Sequence, residues 1–370
     1  MTEFIRLPYT IYHGDPNWTP PLERELRSFL DPRRGPFFEF GTAKLFLAYQ
    51  AGKAVGRIAA VIDPRFNARQ EASTGFFGFF ESIDDTAVAG ALLRAASEFL
   101  ARHGLRSVMG PMSFSANYDC GLLVDAFDTG PGVMMPHNPP YYPALLQECG
   151  FSAEKDLWSW EVPVTDSVVP EAIAVPQRMS RLAESARARA GVVIRQMDLG
   201  RFDAELARVR ELYNHAWQGN WGFVPMTDRE FSFIGHQLKP MMRPELSLMA
   251  EVEGKPVAFA IAFVDPGPAL RAAGGHLARR GVPTGLYHLL RAGRTAERVR
   301  IITLGAVGDR RTAGIAVALC IDLVRGAHRL GYREPLEASW ILEDNHGLNR
   351  MIASVGGRRT RTHRIYRRDL

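Results

Sequence analysis

The sequence has few cysteines and no long hydrophobic run. Its three cysteines, Cys120, Cys149 and Cys320, lie far apart and not at metal-ligand spacing, so we expect neither a disulfide framework nor a metal site. No stretch approaches the roughly 18 apolar residues that a membrane-spanning helix requires. The first residues, MTEFIRLPYT, lack the basic-then-apolar pattern of a secretory signal. These absences favour a cytoplasmic protein without a metal cofactor.

The composition is that of a folded protein with an excess of positive charge. Apolar residues make up 46% and charged residues 23% of 370 residues, which predicts two domains of about 150 to 200 residues each. The formal net charge is +5, and six arginines lie between positions 358 and 368. Cofactor phosphates, nucleic acid and an anionic membrane surface all attract such charge, so composition alone leaves these three partners open.

An internal duplication predicts the domain plan. Residues 48–64 read AYQAGKAVGRIAAVIDP and residues 250–266 read AEVEGKPVAFAIAFVDP, with Ala, Gly, Lys, Val, Ala, Asp and Pro at matching positions. Each segment predicts a hairpin with a Gly-Lys turn and an Asp-Pro end. In both halves a third strand follows (74–80 and 299–307), and then a long helix that ends at a glycine, Gly104 or Gly331.

The remaining elements follow in the same order in both halves: a further strand, a short helix and a last strand, all preceded by a helical segment. We therefore predict an α/β fold of the mixed-sheet α+β type, with two tandem domains in which helices flank a twisted sheet. The predicted domains are 1–162 and 191–370. Residues 163–190 are predicted to be a linker with an arginine-rich amphipathic helix, for which contact with an anionic membrane surface stays open.

A phosphate-binding turn is predicted only in the second half. There the strand RIITLGAV leads into R-T-A-G-I-A and then into a helix. A glycine permits close approach of the backbone, and the free N–H groups and dipole of a helix N-terminus favour a diphosphate. The residues of this predicted turn are Arg311, Thr312, Ala313, Gly314, Ile315 and Ala316.

The strand and its R-x-x-G-x-A turn resemble the acyl-CoA motif of the Gcn5-related N-acetyltransferase (GNAT) superfamily, and the element order of each half fits that fold. The resemblance implies acyl-CoA as co-substrate. It also implies a pantetheine-binding strand edge and a cofactor contact from Asn345 after the following strand. The strand residues concerned are Leu304, Gly305, Ala306 and Val307.

The first half lacks this turn. Alignment of Gly104 with Gly331 places Asp84-Asp85-Thr86-Ala87-Val88-Ala89 against it, so that aspartate replaces arginine and alanine replaces glycine. Two carboxylates repel a diphosphate, and the added Cβ obstructs the backbone. We therefore expect the first domain to be a degenerate copy, and a substitution such as Ala87→Trp to affect acyl-CoA binding less than Gly314→Trp.

The resemblance implies that catalytic groups lie in the run EASWILEDNHGLN. Glu337 is the first candidate for the general base, and its alternative role is that of an ion-pair partner for a nearby arginine. His346 is a second candidate base. The superfamily often places a thiolate-protonating tyrosine on the helix after this strand, but 345–354 contains none, so Tyr366 is considered instead.

Polar residues near an insertion in the first half are candidates for contacts with the acceptor. The run Gly110-Pro-Met-Ser-Phe-Ser-Ala-Asn117 is followed by about twenty extra residues and then by Asn138-Pro-Pro-Tyr-Tyr142. Loops of this composition line clefts. The candidate substrate contacts are Asn117, Asp119, His137, Tyr141 and, on the strand of the second half, Trp340.

With the runs GPMSFS, NPPYY and SWILEDN and the arginine-rich ending RRTRTHRIYRR, the chain resembles over its full length a bacterial group of duplicated acyltransferases that includes ceramide synthases. This implies transfer of a fatty acyl group from acyl-CoA to the amine of a sphingoid base, by a cytoplasmic enzyme that can contact the inner membrane, with no nucleic-acid partner. Three alternatives stay open: a transferase for small amines or amino acids, an aminoacyl-tRNA-dependent transferase, and a non-enzymatic sensor that binds CoA or lipid.

Overall fold

The computed structural model describes residues 1–163, 177–278, 282–295, 298–307, 313–354 and 356–370. Within these ranges, the side chains of 177–180, 189–190, 289–290, 292–295 and 313 are not described. The strands form one mixed sheet with helices on both faces. This confirms the predicted fold class.

The first half begins with two helices before its hairpin. Its elements are α1 (Thr2–Ile11), α2 (Glu23–Leu30), β1 (Thr42–Gln50), β2 (Lys53–Ile62), α3 (Pro64–Gln70), β3 (Thr74–Ser82), α4 (Thr86–Arg102), β4 (Ser107–Gly110), β5 (Leu122–Leu123), α5 (Tyr142–Glu148) and β6 (Ser152–Val162).

The second half repeats this order and adds elements before and within it. Its elements are α6 (Gln177–Ala190), β7 (Val192–Gln196), α7 (Phe202–Ala216), α8 (Asp228–Leu238), β8 (Ser247–Val252), β9 (Lys255–Val264), α9 (Gly267–Ala273), α10 (Thr284–Thr295), β10 (Val299–Ala306), α11 (Ala313–Arg329), β11 (Leu336–Leu342), α12 (His346–Ser354) and β12 (Arg358–Asp369).

The two repeated hairpins have the same local structure. Ala51 and Gly52 have φ values of 50° and 77°, and Glu253 and Gly254 have φ values of 51° and 75°. Two consecutive residues with positive φ are typical of the turn whose twist matches that of a hairpin. The aspartates that end the hairpins also act alike, because Asp63 accepts hydrogen bonds from the backbone at the start of α3 and Asp265 accepts one from Gly267 N.

The two halves exchange strands in the middle of the sheet. The strand order is β1-β2-β3-β4-β12-β6-β11-β10-β9-β8-β7. The last strand of the chain, β12, therefore pairs with β4 of the first half, and β6 pairs with β11 of the second half. The sheet is continuous across the division predicted at residue 162, although the division along the chain stays a prediction.

Each half packs a 17-residue helix on its own part of the sheet, α4 in the first half and α11 in the second. Leu92, Leu93 and Leu100 of α4 are buried in the core of the first half, and Leu319 and Leu323 of α11 are buried in that of the second. These two cores hold the strands on either side of the exchanged pair. In the described part of the chain, no helix is both long enough and apolar enough to cross a membrane.

Candidate active site

The parallel strands β10 and β11 diverge and leave an opening in the sheet. They pair only at Arg300 with Glu337 and at Ile301 with Ala338, whereas β10 continues to pair with β9 as far as Ala306. Beyond Ile301, the β11-facing edge of β10 is therefore not engaged by β11. This is the strand segment for which the resemblance to the GNAT superfamily implies pantetheine contacts.

An apolar cavity of about 510 Å³ lies at this opening. Its wall includes Leu304, Gly305 and Ala306 from β10 and Trp340 from β11. Side chains of α7 and α8 on one side and of α11 and α12 on the other complete it, among them Phe202, Leu206, Phe231, Val317, Ile321 and Met351. Its volume is within the range of about 300 to 1,000 Å³ that is usual for small-molecule sites.

The predicted phosphate turn is only partly described. Arg311 and Thr312 lie outside the described residues, and the side chain of Ala313, the first residue of α11, is not described. Ile315 packs into the core of the second half, and Ala316 lines the cavity.

Gly314 faces helix α6. A Cβ at Gly314 would lie 2.7 Å from the Cβ of Ala186 and 2.9 Å from the carbonyl oxygen of Leu182. The absence of a side chain therefore lets α6 approach α11. A tryptophan at Gly314 has no space beside α6, so we expect Gly314→Trp to disturb the packing of α6 on α11 as well as acyl-CoA binding.

In the first half the corresponding opening is filled. Strands β3 and β4 also diverge after a few pairs, at Phe76 and Met109. The chain after β4 then turns back, and Met112 N donates a hydrogen bond of 2.7 Å to Phe77 O. A Cβ at Gly78 would overlap with the Met112 carbonyl, so the two segments are in direct contact.

The start of α4 in the first half is also closed. The Asp85 carboxylate accepts hydrogen bonds from Ala87 N at 2.8 Å and Val88 N at 3.3 Å. A side-chain cap of this kind satisfies amides that otherwise bind an anion. Neither the gap nor the helix start of the first half is free in the way that the β10–β11 opening is.

Glu337 lies beneath the segment inserted in the first half. Its carboxylate accepts a hydrogen bond of 2.5 Å from Ser339 Oγ and lies 4.0 Å from Arg300 Nε. A Cβ at Gly132 would lie 2.6 Å from Glu337 Oε2. Glu337 is absent from the cavity wall, while Arg300 and Ser339 belong to it. Of the two roles considered for Glu337, the geometry favours that of an arginine partner.

Three arginines hold the inserted segment against the sheet. Arg300 donates to Val133 O, and Arg298 and Arg361 both donate to Gly130 O, at 3.1 and 3.0 Å. His363, next to them on β12, is fully buried, and its Nε2 donates a hydrogen bond of 3.0 Å to Pro136 O. Burial lowers the pKa of His363 to about 4, so it is neutral at pH 7.

The other predicted catalytic and cofactor residues are dispersed. His346 is the first residue of α12 and is exposed. Asn345 lines the cavity, and its side chain accepts a hydrogen bond from Leu348 N at 3.2 Å, as a helix cap does. Tyr366 packs in the core of the first half, opposite Gly110. The geometry gives no support to Tyr366 or His346 as a group acting at the cavity.

The predicted acceptor contacts separate into two sets. Asn117 lines the cavity and joins the two halves, because it accepts from Tyr213 Oη at 2.9 Å and donates to Val224 O at 2.9 Å. Tyr141 donates to Ser82 O and His137 is paired with Asp15, so both stabilise the first half. Asp119 follows directly after the cavity-lining residues 116–118.

Residues that the sequence reasoning missed complete the site. Tyr213 on α7 and Trp217, the residue that follows α7, stack on each other with ring centroids 4.5 Å apart, and both line the cavity. Tyr118 donates a hydrogen bond of 3.1 Å to Glu230, which also pairs with Arg65 at 3.0 Å. The spacing of Val209, Tyr213 and Trp217 was a visible signal, but it is the ordinary pattern of a buried helix face.

The fold and the opening between β10 and β11 define the class of protein to which the chain belongs. A tandem GNAT protein from the clavulanic acid biosynthesis pathway aligns with a TM-score of 0.56 at 12% identity, covering 100% of this chain and 94% of that one. A GCN5-related glucosamine N-acetyltransferase region of a fungal β-N-acetylglucosaminidase aligns with a TM-score of 0.55 at 13% identity, covering 99% of this chain and 36% of that one. The chain thus has the tandem GNAT fold.

Sequence relatives specify the family. The chain is 33% identical over 371 residues to protein YghO of Escherichia coli strain K12, covering 100% of this chain and 93% of the relative. It is also 33% identical over 375 residues to the bacterial ceramide synthase of Caulobacter vibrioides, covering 100% and 95%. No family model matches the chain. The chain belongs to the family of these two proteins and is an acyltransferase of the GNAT fold.

Proposed function

We propose that this protein is an acyl-CoA-dependent N-acyltransferase that transfers a fatty acyl group to the amine of a long-chain sphingoid base. The observation that carries the proposal is the apolar cavity at the β10–β11 opening. The proposal extends to this chain the activity that the name of its Caulobacter relative states.

The opening supports the use of acyl-CoA. The edge of β10 from Ile302 to Ala306 is not engaged by β11, and such an edge can hydrogen bond an extended chain containing amides. Helix α11 begins close by, at Ala313, and the N-terminus of a helix favours a phosphate. A pantetheine arm in the opening therefore directs its thioester towards the cavity.

The cavity supports a long acyl or amine chain. Its wall is made mainly of aromatic and aliphatic side chains, including Phe202, Val209, Phe231, Leu238 and Phe263. Burial of apolar surface contributes roughly 25 cal/mol per Å². An acetyl group would leave most of this wall without contact, whereas a hydrocarbon chain covers it. Because both proposed substrates are amphiphiles, peripheral contact of a cytoplasmic enzyme with the inner membrane is part of the proposal.

A direct assay tests the proposal. Purified protein is mixed with labelled palmitoyl-CoA and sphinganine or 3-oxosphinganine, and the N-acyl product is identified by mass spectrometry. We expect product with palmitoyl-CoA and much less with acetyl-CoA. Transfer to polyamines or amino acids without lipid product would favour the small-amine alternative. Transfer that requires charged tRNA would favour the aminoacyl-tRNA alternative.

The sensor alternative is separated in the same experiment. Binding of palmitoyl-CoA with no transfer to any amine would favour a sensor and contradict the proposed enzyme. Heat-denatured protein is the control for spontaneous acylation, since thioesters react slowly with free amines.

A further inference from the structure

Helix α10 presents large apolar side chains to solvent. Leu286 is 44% exposed and Tyr287 is 54% exposed, and Val282, just before the helix, is 57% exposed. Gly285 faces inward instead, because a Cβ there would overlap with the carbonyl oxygen of His276. A surface helix ordinarily turns its apolar stripe towards the core, so α10 has the opposite orientation.

We call Val282, Leu286 and Tyr287 the α10 patch. Among the residues that the structure describes, no other stretch of six holds three exposed large apolar side chains. Contiguous apolar surface of this kind marks a site of interaction, whereas single exposed apolar side chains are ordinary.

The α10 patch lies on a segment that the first half lacks. In the first half 11 residues (63–73) separate β2 from β3, whereas in the second half 34 residues (265–298) separate β9 from β10. The first half forms the same hairpin, third strand and long helix without this addition. The extra segment therefore serves a role of the second half other than folding, and the second half is the one with the open gap.

The segment around the α10 patch is basic. Residues 274–298 contain five arginines, at positions 279, 280, 291, 294 and 298, and one acid, Glu297. Arg291 donates a hydrogen bond to Tyr287 Oη, which places one of these cations beside the patch. Leucine and tyrosine next to arginine are typical of helices at the surface of an anionic membrane. A second copy of the chain would bring the same positive charge to the patch, which opposes pairing of two copies there.

The segment is attached beside the exposed part of the cavity wall. Met134 lines the cavity and is 38% exposed. Arg298, at the end of the α10 segment, donates a hydrogen bond of 3.1 Å to Gly130 O, four residues before Met134. Helix α10 is itself fixed to the preceding chain, because Leu286 N donates to Leu277 O at 2.9 Å. The patch and the exposed cavity wall thus belong to two segments in direct contact.

We propose that α10 docks the enzyme on an anionic lipid bilayer, with the α10 patch in the headgroup region. This inference rests on the proposed function and specifies the surface through which the enzyme meets its lipid substrate. A long-chain amine resides in the membrane, and each methylene group that enters water opposes its release. A docked enzyme receives the acceptor next to the cavity without its passage through bulk water.

Vesicle binding measures docking directly. The full-length protein is sedimented with vesicles of phosphatidylcholine alone or mixed equally with phosphatidylglycerol. We expect binding to the mixed vesicles that weakens as salt is added. The double variant Leu286→Gln/Tyr287→Gln should bind them about tenfold or more weakly, because it lacks most of the inserted apolar surface. Val193→Thr is the matched control, since Val193 on β7 is 60% exposed outside the patch and should bind as wild type does.

Two forms of the acceptor separate docking from catalysis. With sphinganine embedded in mixed vesicles, the double variant should be about tenfold slower than wild type. With a short-chain, water-soluble analogue of sphinganine, its rate should stay within about twofold of wild type, because no membrane is then involved. Thermal unfolding is measured for each variant. This pattern of rates supports the inference, and equal losses with both acceptors overturn it.

Other outcomes assign the patch differently. Wild type that does not bind the mixed vesicles overturns the inference, as does a folded double variant that binds them normally. Loss of binding in Leu182→Gln, with binding retained in the double variant, overturns it in favour of α6, where Leu182 is 43% exposed. A wild-type dimer that the double variant loses, without vesicle binding, overturns it in favour of a second copy.

If the double variant does not fold, Tyr287→Trp decides. The larger ring should tighten vesicle binding roughly twofold or more, and unchanged binding overturns the inference. The two proposals fail separately. Vesicle binding by wild type that transfers no acyl group to any amine contradicts the proposed function and supports the docking surface. Transfer without vesicle binding supports the proposed function and contradicts the docking surface.

Discussion

The two halves have the same strand order and similar helices, yet among the residues that the structure describes only the second half has an open gap between its parallel strands. In the first half Met112 packs against Phe77 and closes the gap between β3 and β4. In the second half β10 and β11 part and the gap leads into a cavity. The difference teaches that a duplicated fold can specialise by filling one opening, while the filled copy keeps its structural role.

The filled half still contributes to the site of the open one. Its hairpin supplies Asn117 and Tyr118 to the cavity wall, and its inserted segment covers Glu337. The exchange of β6 and β12 ties these contributions to the sheet of the second half. The two halves therefore differ in whether their parallel strands leave an opening, while both contribute residues to the site. Four sets of substitutions test this difference.

The largest effect is expected when a bulky side chain fills the opening between β10 and β11, as Met112 fills the one between β3 and β4. Ala316 lines the cavity at the start of α11, so Ala316→Trp should block the acyl-CoA path and lower transfer by at least about 100-fold, as misplacement of a substrate does. Palmitoyl-CoA binding is measured by calorimetry. The control is Ala87→Trp at the exposed start of α4. Equal losses in the two variants would contradict a single acyl-CoA site.

The shared strand β12 should make the stability of the protein sensitive to acid. The pKa of His363 is lowered to about 4 by burial, while an unfolded histidine titrates near 6.5. Between these values the unfolded chain binds the extra proton, so stability falls as pH drops from about 6.5 to about 4, by about 3 kcal/mol. Urea unfolding of wild type and His363→Gln across this range measures the difference. The same pH dependence in both proteins would contradict the prediction that His363 causes this loss of stability.

Glu337→Gln tests whether the polar cluster under the inserted segment is structural. Arg300 would lose the charge of its neighbour, and we expect a loss of about 1–3 kcal/mol in the free energy of unfolding. Transfer should fall by less than about tenfold, well below the 10²–10⁴-fold loss of a general base. Chemical unfolding and the transfer assay measure the two quantities. A stable Gln variant without activity would restore Glu337 as the base.

The smallest effects should differ in sign between the two long helices. Gly314→Ala places a Cβ against α6, and we expect a loss of about 1–3 kcal/mol from overpacking. Gly90→Ala in α4 meets only Cys149 Sγ, at 3.7 Å, and should gain about 0.5–1 kcal/mol from helix propensity. Thermal unfolding measures the stability of the two variants relative to wild type. A gain in both variants would show that α6 does not pack on Gly314 in solution.

Local elements of this fold could be predicted because neighbouring residues define them. The Gly-Lys turns, the Asp-Pro ends of the hairpins and the glycines after α4 and α11 each act over a few residues. For that reason the repeated order of elements and the mixed sheet could be predicted from residues close in sequence. That the first half rejects a diphosphate stays a prediction, with which the Asp85 cap at the start of α4 agrees.

The candidate site was predicted less completely, because distant segments decide which side chains meet. Sequence alone indicated Leu304, Ala316 and Asn117, which do line one cavity. It could not indicate that Gly132 would cover Glu337, that α6 would occupy the space beside Gly314, or that Tyr366 would join the core of the first half.

By itself the sequence determined the two repeated units, since hydrophobic period and turn chemistry are local. Only the tertiary structure decided the exchange of β6 and β12 and the open gap at β10. These features depend on pairings between residues up to about 260 positions apart, such as Tyr366 with Gly110. Loop closure and packing across such separations leave no local pattern in the sequence.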